Sequence, residues 1–183
     1  MKQALLIIDI QNDYFPGGHM ELTGMEKAAA QAQQLLKNFR DQGLLAFHVQ
    51  HLSQRENAHF FIPNTVGAEI HPLVKPEKTE IIICKHYPNS FRETVLHEKL
   101  QQSKIEQLII CGAMSQMCID STVRAAYDLG YRCIVIHDAC ATKDLSFNNE
   151  YLSADHVQIS FMAAIHGIFA EVISLNQYLT RSK

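Results

Sequence analysis

The sequence has no excess of charge of either sign: 16 Lys and Arg stand against 19 Asp and Glu, a formal net charge of −3. Nucleic acid is therefore not an expected partner, because neutralising phosphates needs a basic face. No apolar run approaches the ~20 residues that span a bilayer. The run Ala4 to Ile8 meets Asp9 too soon to form the core of a secretory signal. The expectation is a soluble, unexported, cytoplasmic protein with no membrane partner. The five cysteines, Cys84, Cys111, Cys118, Cys133 and Cys140, include no CxxC pair, and an odd number cannot all pair within one chain. Reduced thiols fit best. Ten histidines include no HxxxH or HExxH spacing, and no GxGxxG follows the first apolar run. Repeats, low-complexity tracts and linkers are absent as well. With 47% hydrophobic and 19% charged residues, the chain reads as one folded domain over residues 1–183, neither disordered nor fibrous.

What the sequence does have is alternation. Ala4 to Ile8 is a continuous apolar run of strand length, the pattern of a strand buried on both faces. Ala28, Ala32, Leu35, Leu36 and Phe39 then recur at helical spacing until Gly43 supplies a stop. Further strands are predicted at Leu44 to Val49, Glu80 to Cys84, Gln107 to Cys111, Arg132 to His137 and Glu171 to Ser174. Helices are predicted at Thr94 to Gln102, Met117 to Leu129 and Asn149 to His166, with a short turn at Asn176 to Leu179. Strands separated by helices imply right-handed crossovers and a mostly parallel sheet, hence a three-layer α/β domain. Leu52 to Lys78 is polar and aperiodic, long for a connection, and reads as a lid or binding wall.

In such sheets ligands bind beyond the carboxyl ends of the strands. Asp9 ends the first strand, Lys85 the third, and Cys118 falls in the first turn of the helix after the fourth, with Ser115 as its expected N-cap. A helix N-terminus lowers a thiol from about 8.5, which suits a nucleophile; the alternative is a buried structural cysteine. Asp9 is expensive to bury unless paired, and Lys85 is the available cation. Together the three offer nucleophile, base and charge compensation. Phe15, Tyr87, Phe60, Phe61 and Phe91 are candidates for an apolar cup around a small substrate. Asp13 reads as a turn residue or as support for the same loop.

These segments resemble the isochorismatase-like cysteine hydrolases, the superfamily that includes nicotinamidases and N-carbamoyl amidohydrolases. Leu6 to Phe15 is similar to the family's first strand and its aspartate, Lys85 to Thr94 to its lysine segment, and Gly112 to Ala126 to its nucleophile loop and helix. The likeness extends to Asp138–Thr142 and so covers nearly the whole chain. It implies the Rossmann-like, isochorismatase-like hydrolase fold, a three-layer α/β/α arrangement around a six-stranded parallel sheet, with a triad of Asp9, Lys85 and Cys118 and a cis peptide between Ala113 and Met114. It also implies an oxyanion hole from the N–H groups of Met114 and Cys118. The implied activity is hydrolysis of a small amide or carbamoyl C–N bond through a thioester, by a homo-oligomer acting on a small molecule. Nicotinamidases in the family carry an Asp-x-His metal element after the second strand; here Gln50 stands where that aspartate is expected, in Phe47-His48-Val49-Gln50-His51. No metal or cofactor is therefore expected, the remaining route to one being a cluster of His48, His51, His59 and His71. Two other readings stay open: isochorismatase-type cleavage of a vinyl ether, which needs no thiol, and a catalytically silent small-molecule-binding protein of the same fold.

Overall fold

The structure is a computed structural model and describes residues 1–181. Its sheet is formed by β1 (Gln3–Ile8), β2 (Leu45–His51), β3 (Ile81–Lys85), β4 (Gln107–Ala113), β5 (Arg132–Ala141) and β8 (Glu171–Ile173). All are parallel, in the spatial order β3-β2-β1-β4-β5-β8. Helices cover both faces, which makes three layers. Alternate residues of β1 divide the core: Leu5 and Ile7 pack with α1 (Met25–Asp41) and α5 (Leu175–Arg181). Ala4, Leu6 and Ile8 pack with α2 (Leu96–Gln102), α3 (Asp120–Asp128) and α4 (Ala154–Ile165). A strand sandwiched this way must be apolar on both sides, which is why its sequence is a run and not an alternation.

The face of α1 is built from Ala28, Ala29, Ala32, Leu35, Leu36 and Phe39, all buried. Phe39 is fully buried, and truncating it to alanine would cost about 3–5 kcal/mol in transfer and cavity terms. The helix stops where Gly43, at φ +64°, turns into β2, in the left-handed conformation glycine tolerates best.

Three elements depart from the sequence expectation. The helix predicted over Asn149 to His166 begins only at Ala154, where the Ser153 hydroxyl accepts the His156 N–H. Ahead of it, β6 (Leu145–Phe147) and β7 (Glu150–Leu152) form an antiparallel hairpin. Its turn places Asn148 and Asn149 both at positive φ, the tight-turn geometry that asparagine accepts. β5 also runs beyond His137 to Ala141, after a register shift between Ile110 and Gly112. Over Met162 to Phe169, Met162 and Ile165 are buried and Ile168 is the large apolar residue left exposed. Among the described residues no helix is long and apolar enough to cross a membrane.

From β1 the chain moves to β2 and β3 on one side, then returns to β4 on the other. The connections therefore diverge between β1 and β4, and their carboxyl ends open a crevice there.

Candidate active site

Gly112 is what lets those two strand ends meet. It stands at φ +126°, and a Cβ at that position would lie 1.9 Å from the Ile8 carbonyl oxygen. Asp9 follows directly, at φ +52°, a left-handed conformation that aspartate adopts more readily than most residues. Past Gly112, the peptide between Ala113 and Met114 is cis, and the chain enters one wide helical turn, Ser115–Ile119, whose Ile119 N–H reaches back five residues to Met114 O. Cys118 sits in this turn and is buried.

Lys85, the last residue of β3, brings the groups together. Its side chain and that of Asp9 are fully buried, with Nζ 2.7 Å from Asp9 Oδ2. The ammonium donates to Cys118 Sγ at 3.1 Å and to the Tyr87 carbonyl at 3.1 Å, and lies 3.0 Å from His51 Nδ1. Burial works to discharge Lys85, but the attraction of the Asp9 carboxylate, with the hydrogen bonds to Asp9 and Cys118, outweighs it and holds the ammonium above its ordinary value. Asp9, Lys85 and Cys118 therefore share one contact network.

The thiol differs from the sequence expectation. Burial, then the nearby Asp9 carboxylate, raise Cys118 well above the ordinary thiol value, and the opposing pull of Lys85 does not cancel them. The resting sulfur thus keeps its proton. Ser115 does not cap the turn either: its hydroxyl donates to Gln158 Oε1 at 2.5 Å, with Ala141 O at 3.3 Å, and Met114 occupies the cap position with no capping side-chain bond.

A cavity of about 460 Å³ opens onto Cys118. Tyr87 and Phe60 line it, with Tyr14, Met114, Met117 and Arg55. Phe15 and Phe91 do not: Phe15 is buried with its ring stacked 3.6 Å from that of His71, and Phe91 stacks on Tyr131 6.1 Å away. In both cases a ring near a polar loop found an aromatic neighbour in the packing instead. Phe61 lies behind the wall, fully buried against Tyr14 at 4.6 Å. Asp13 holds that wall, since Oδ2 accepts the Phe61 N–H at 2.6 Å. Gly67 leaves room for the Asp13 carboxylate, because a Cβ there would lie 2.2 Å from Oδ1.

The four histidines do not assemble. His48 is paired with Glu80 at 2.9 Å, His71 stacks on Phe15, and His59 and His51 lie on the cavity wall. Among the described residues, Asp9, His51 and Cys118 are the group whose potential ligand atoms converge, within 4.8 Å of one another. The Lys85 ammonium already lies 2.7–3.1 Å from all three, so the place a divalent ion would take is filled by a protonated amine. These residues do not fit a metal. Gln50 turns away, donating to Ala68 O at 2.8 Å.

Sequence reasoning missed Tyr14, Met117 and Arg55 as wall residues and read His51 only as a possible metal ligand. His51 ends β2, two residues beyond the predicted strand end at Val49, so the strand-end rule that singled out Asp9 and Lys85 would have reached it only with the longer strand. Gln11, fully buried, fixes it: the Gln11 side chain accepts the His51 N–H at 2.7 Å and donates to its carbonyl at 2.9 Å.

Comparison with known proteins agrees with this architecture. The family model described as the isochorismatase domain matches residues 3–177. The chain is 51% identical over 179 residues to the uncharacterized isochorismatase family protein YddQ of Bacillus subtilis, covering 98% of this chain and 99% of that protein. It is 27% identical to the maleamate amidohydrolase of Pseudomonas putida, over 75% of this chain and 71% of that enzyme. The crystal structure of a putative isochorismatase hydrolase from Oleispira antarctica superimposes with a TM-score of 0.95 at 46% identity, covering 98% of this chain and 96% of that one.

Proposed function

The chain belongs to the isochorismatase family, which has amidohydrolases among its members, and from that premise we propose that it hydrolyses a small amide or carbamoyl C–N bond with Cys118 as nucleophile. One observation carries the reading. A single buried ammonium, Lys85 Nζ, touches a carboxylate at 2.7 Å and a thiol sulfur at 3.1 Å beneath a cavity of small-molecule size. A structural ion pair has no use for the sulfur, and a structural cysteine no use for the charges.

The proposed chemistry follows from that contact. Because the resting sulfur is protonated, nucleophilicity must arise during attack: Asp9 takes the thiol proton as the C–S bond forms. Lys85 stays charged and offsets the thiolate that develops beside a carboxylate. The carbonyl oxygen gains negative charge, for which the N–H groups of Met114 and Cys118 are the proposed donors, a contribution of about 3 kcal/mol in comparable sites. Asp9 returns the proton to the nitrogen, the C–N bond breaks, and ammonia or an amine leaves. Water, deprotonated by Asp9, then cleaves the thioester and regenerates the thiol. Net, one amide and one water become one carboxylic acid and one amine.

The test is ammonia release across a panel of nicotinamide, carbamoylated amino acids, ureido acids and simple amides. Activity that disappears in Cys118→Ala protein with an unchanged circular dichroism spectrum supports the reading; undiminished hydrolysis by that variant overturns it.

A further inference from the structure

The proposed hydrolysis uses Asp9, Lys85 and Cys118 and leaves the fourth side chain of the network without a task. His51 lies on the cavity wall beside Cys118. Its ring is held by the two Gln11 hydrogen bonds to its backbone and by the Phe61 ring at 5.8 Å.

Where its proton sits follows from its neighbours. Lys85 Nζ, 3.0 Å from Nδ1, is an ammonium and has only protons to offer, so Nδ1 accepts. Burial pushes the imidazolium down to about 4, so the ring is neutral near pH 7 and carries a single proton. That proton is on Nε2. Nε2 makes no hydrogen bond to any described residue, yet it is not sealed from solvent as the orphaned Nδ1 of His48 is. An immobilised, neutral donor therefore faces the cavity with nothing to donate to.

We infer that His51 is a further substrate-contacting residue, its Nε2–H donating to an oxygen acceptor that the substrate carries beside the scissile carbonyl, and that the preferred substrates are short amides bearing a carboxylate. The charge of the wall agrees. No Asp or Glu lines the cavity, while Arg55 lines it and its guanidinium has no acidic or hydrogen-bonding partner among the described residues. An anion at this wall meets the Arg55 charge and no acidic lining residue. The inference rests on the proposed hydrolysis only for the identity of the reacting group, and binding can be measured without turnover.

The experiment uses Cys118→Ala protein and two probes, succinamate and its uncharged counterpart butyramide, with affinities from NMR titration. Succinamate is expected to bind at least tenfold more tightly. An asparagine amide reaches the place of Nδ1, keeping an acceptor for Lys85 but no donor in the cavity; a glutamine amide reaches the place of Nε2. Adding His51→Asn is therefore expected to weaken succinamate about tenfold and leave butyramide nearly unchanged, and His51→Gln to recover most of the loss. The reverse order, with the glutamine variant the weaker binder, would assign the ring to buttressing Lys85 and overturn the inference. Equal affinity for both probes, or no detectable succinamate binding, overturns the substrate class. Should either variant fail to fold, the ¹⁵N resonances of His51 in the parent decide: Nε2 is expected to carry the proton and to shift on adding succinamate, and an Nδ1–H ring or an unmoved Nε2 refutes the assignment. Cys118-dependent ammonia release, measured separately, reports on the hydrolysis alone.

Discussion

Replacing Lys85 with methionine keeps most of the side-chain volume and removes the charge. Asp9, with no exposed surface in the resting site, then loses its counter-ion. At 2.7 Å and an effective dielectric constant near 20, the lost attraction is ~6 kcal/mol, an upper bound on what the substitution can cost. Breaking one partner of a buried pair costs about 3–5 kcal/mol after relaxation, a large part of a typical domain's total stability of about 5–15 kcal/mol. The assay is urea unfolding at pH 7 of the parent, Lys85→Met, Asp9→Asn and the double variant. Lys85→Met is expected to lose about 3–5 kcal/mol, and the double variant, with two neutral groups of similar shape, distinctly less than the sum of the single losses. A loss below about 1 kcal/mol for Lys85→Met, or strict additivity, would refute the reasoning, because the carboxylate would then be compensated by something other than the ammonium.

Glu80 gives the clearest pH dependence. Although burial works to raise its carboxyl, the Arg40 hydrogen bonds, the Glu77 N–H and His48 hold it at about 2 instead of 4.5. Stability from this cluster is complete above pH 4.5 and is lost as pH falls toward 2. Glu80→Gln should thus lower stability by about 2 kcal/mol at pH 7, with a gap that narrows between pH 4.5 and 3 in urea melts; a constant gap would contradict it. Gly112→Ala should cost about 3 kcal/mol or more, since its Cβ meets the Ile8 carbonyl and its φ is glycine-like, and a thermal melt within error of the parent would be inconsistent with that contact. If the chain forms the homo-oligomer that the family resemblance implies, the β6–β7 hairpin is the expected contact, since Phe147 is 79% and Tyr151 64% exposed there. Phe147→Ser with Tyr151→Ser is expected to lower the sedimentation mass; an unchanged oligomer would place the interface elsewhere.

The fold was legible where burial dictates sequence directly. β1 must be apolar on both faces, so it reads as a run, and α1 must present one apolar stripe, so its period shows. The β6–β7 hairpin was not legible because its strands are three residues each and its outward faces are not patterned by a core. Of the site, Asp9, Lys85 and Cys118 stood out because polar groups directly after apolar strands need a reason. Their chemistry was only half legible: helix position alone predicts a lowered thiol, whereas the actual balance of burial and the Asp9 charge raises it. The cavity wall was least legible. Whether an aromatic residue faces a ligand or a neighbouring ring depends on packing partners far along the chain, as Phe15 against His71 and Phe91 against Tyr131 illustrate.

The most direct measurement of the central claim is the mass of the protein during turnover of whichever amide of the panel releases ammonia fastest. Acid-quenched samples should contain a species heavier by the acyl fragment, with the added mass on the peptide that holds Cys118. Full turnover with no adduct at any quench time, or an adduct confined to another residue, would contradict nucleophilic attack by that sulfur.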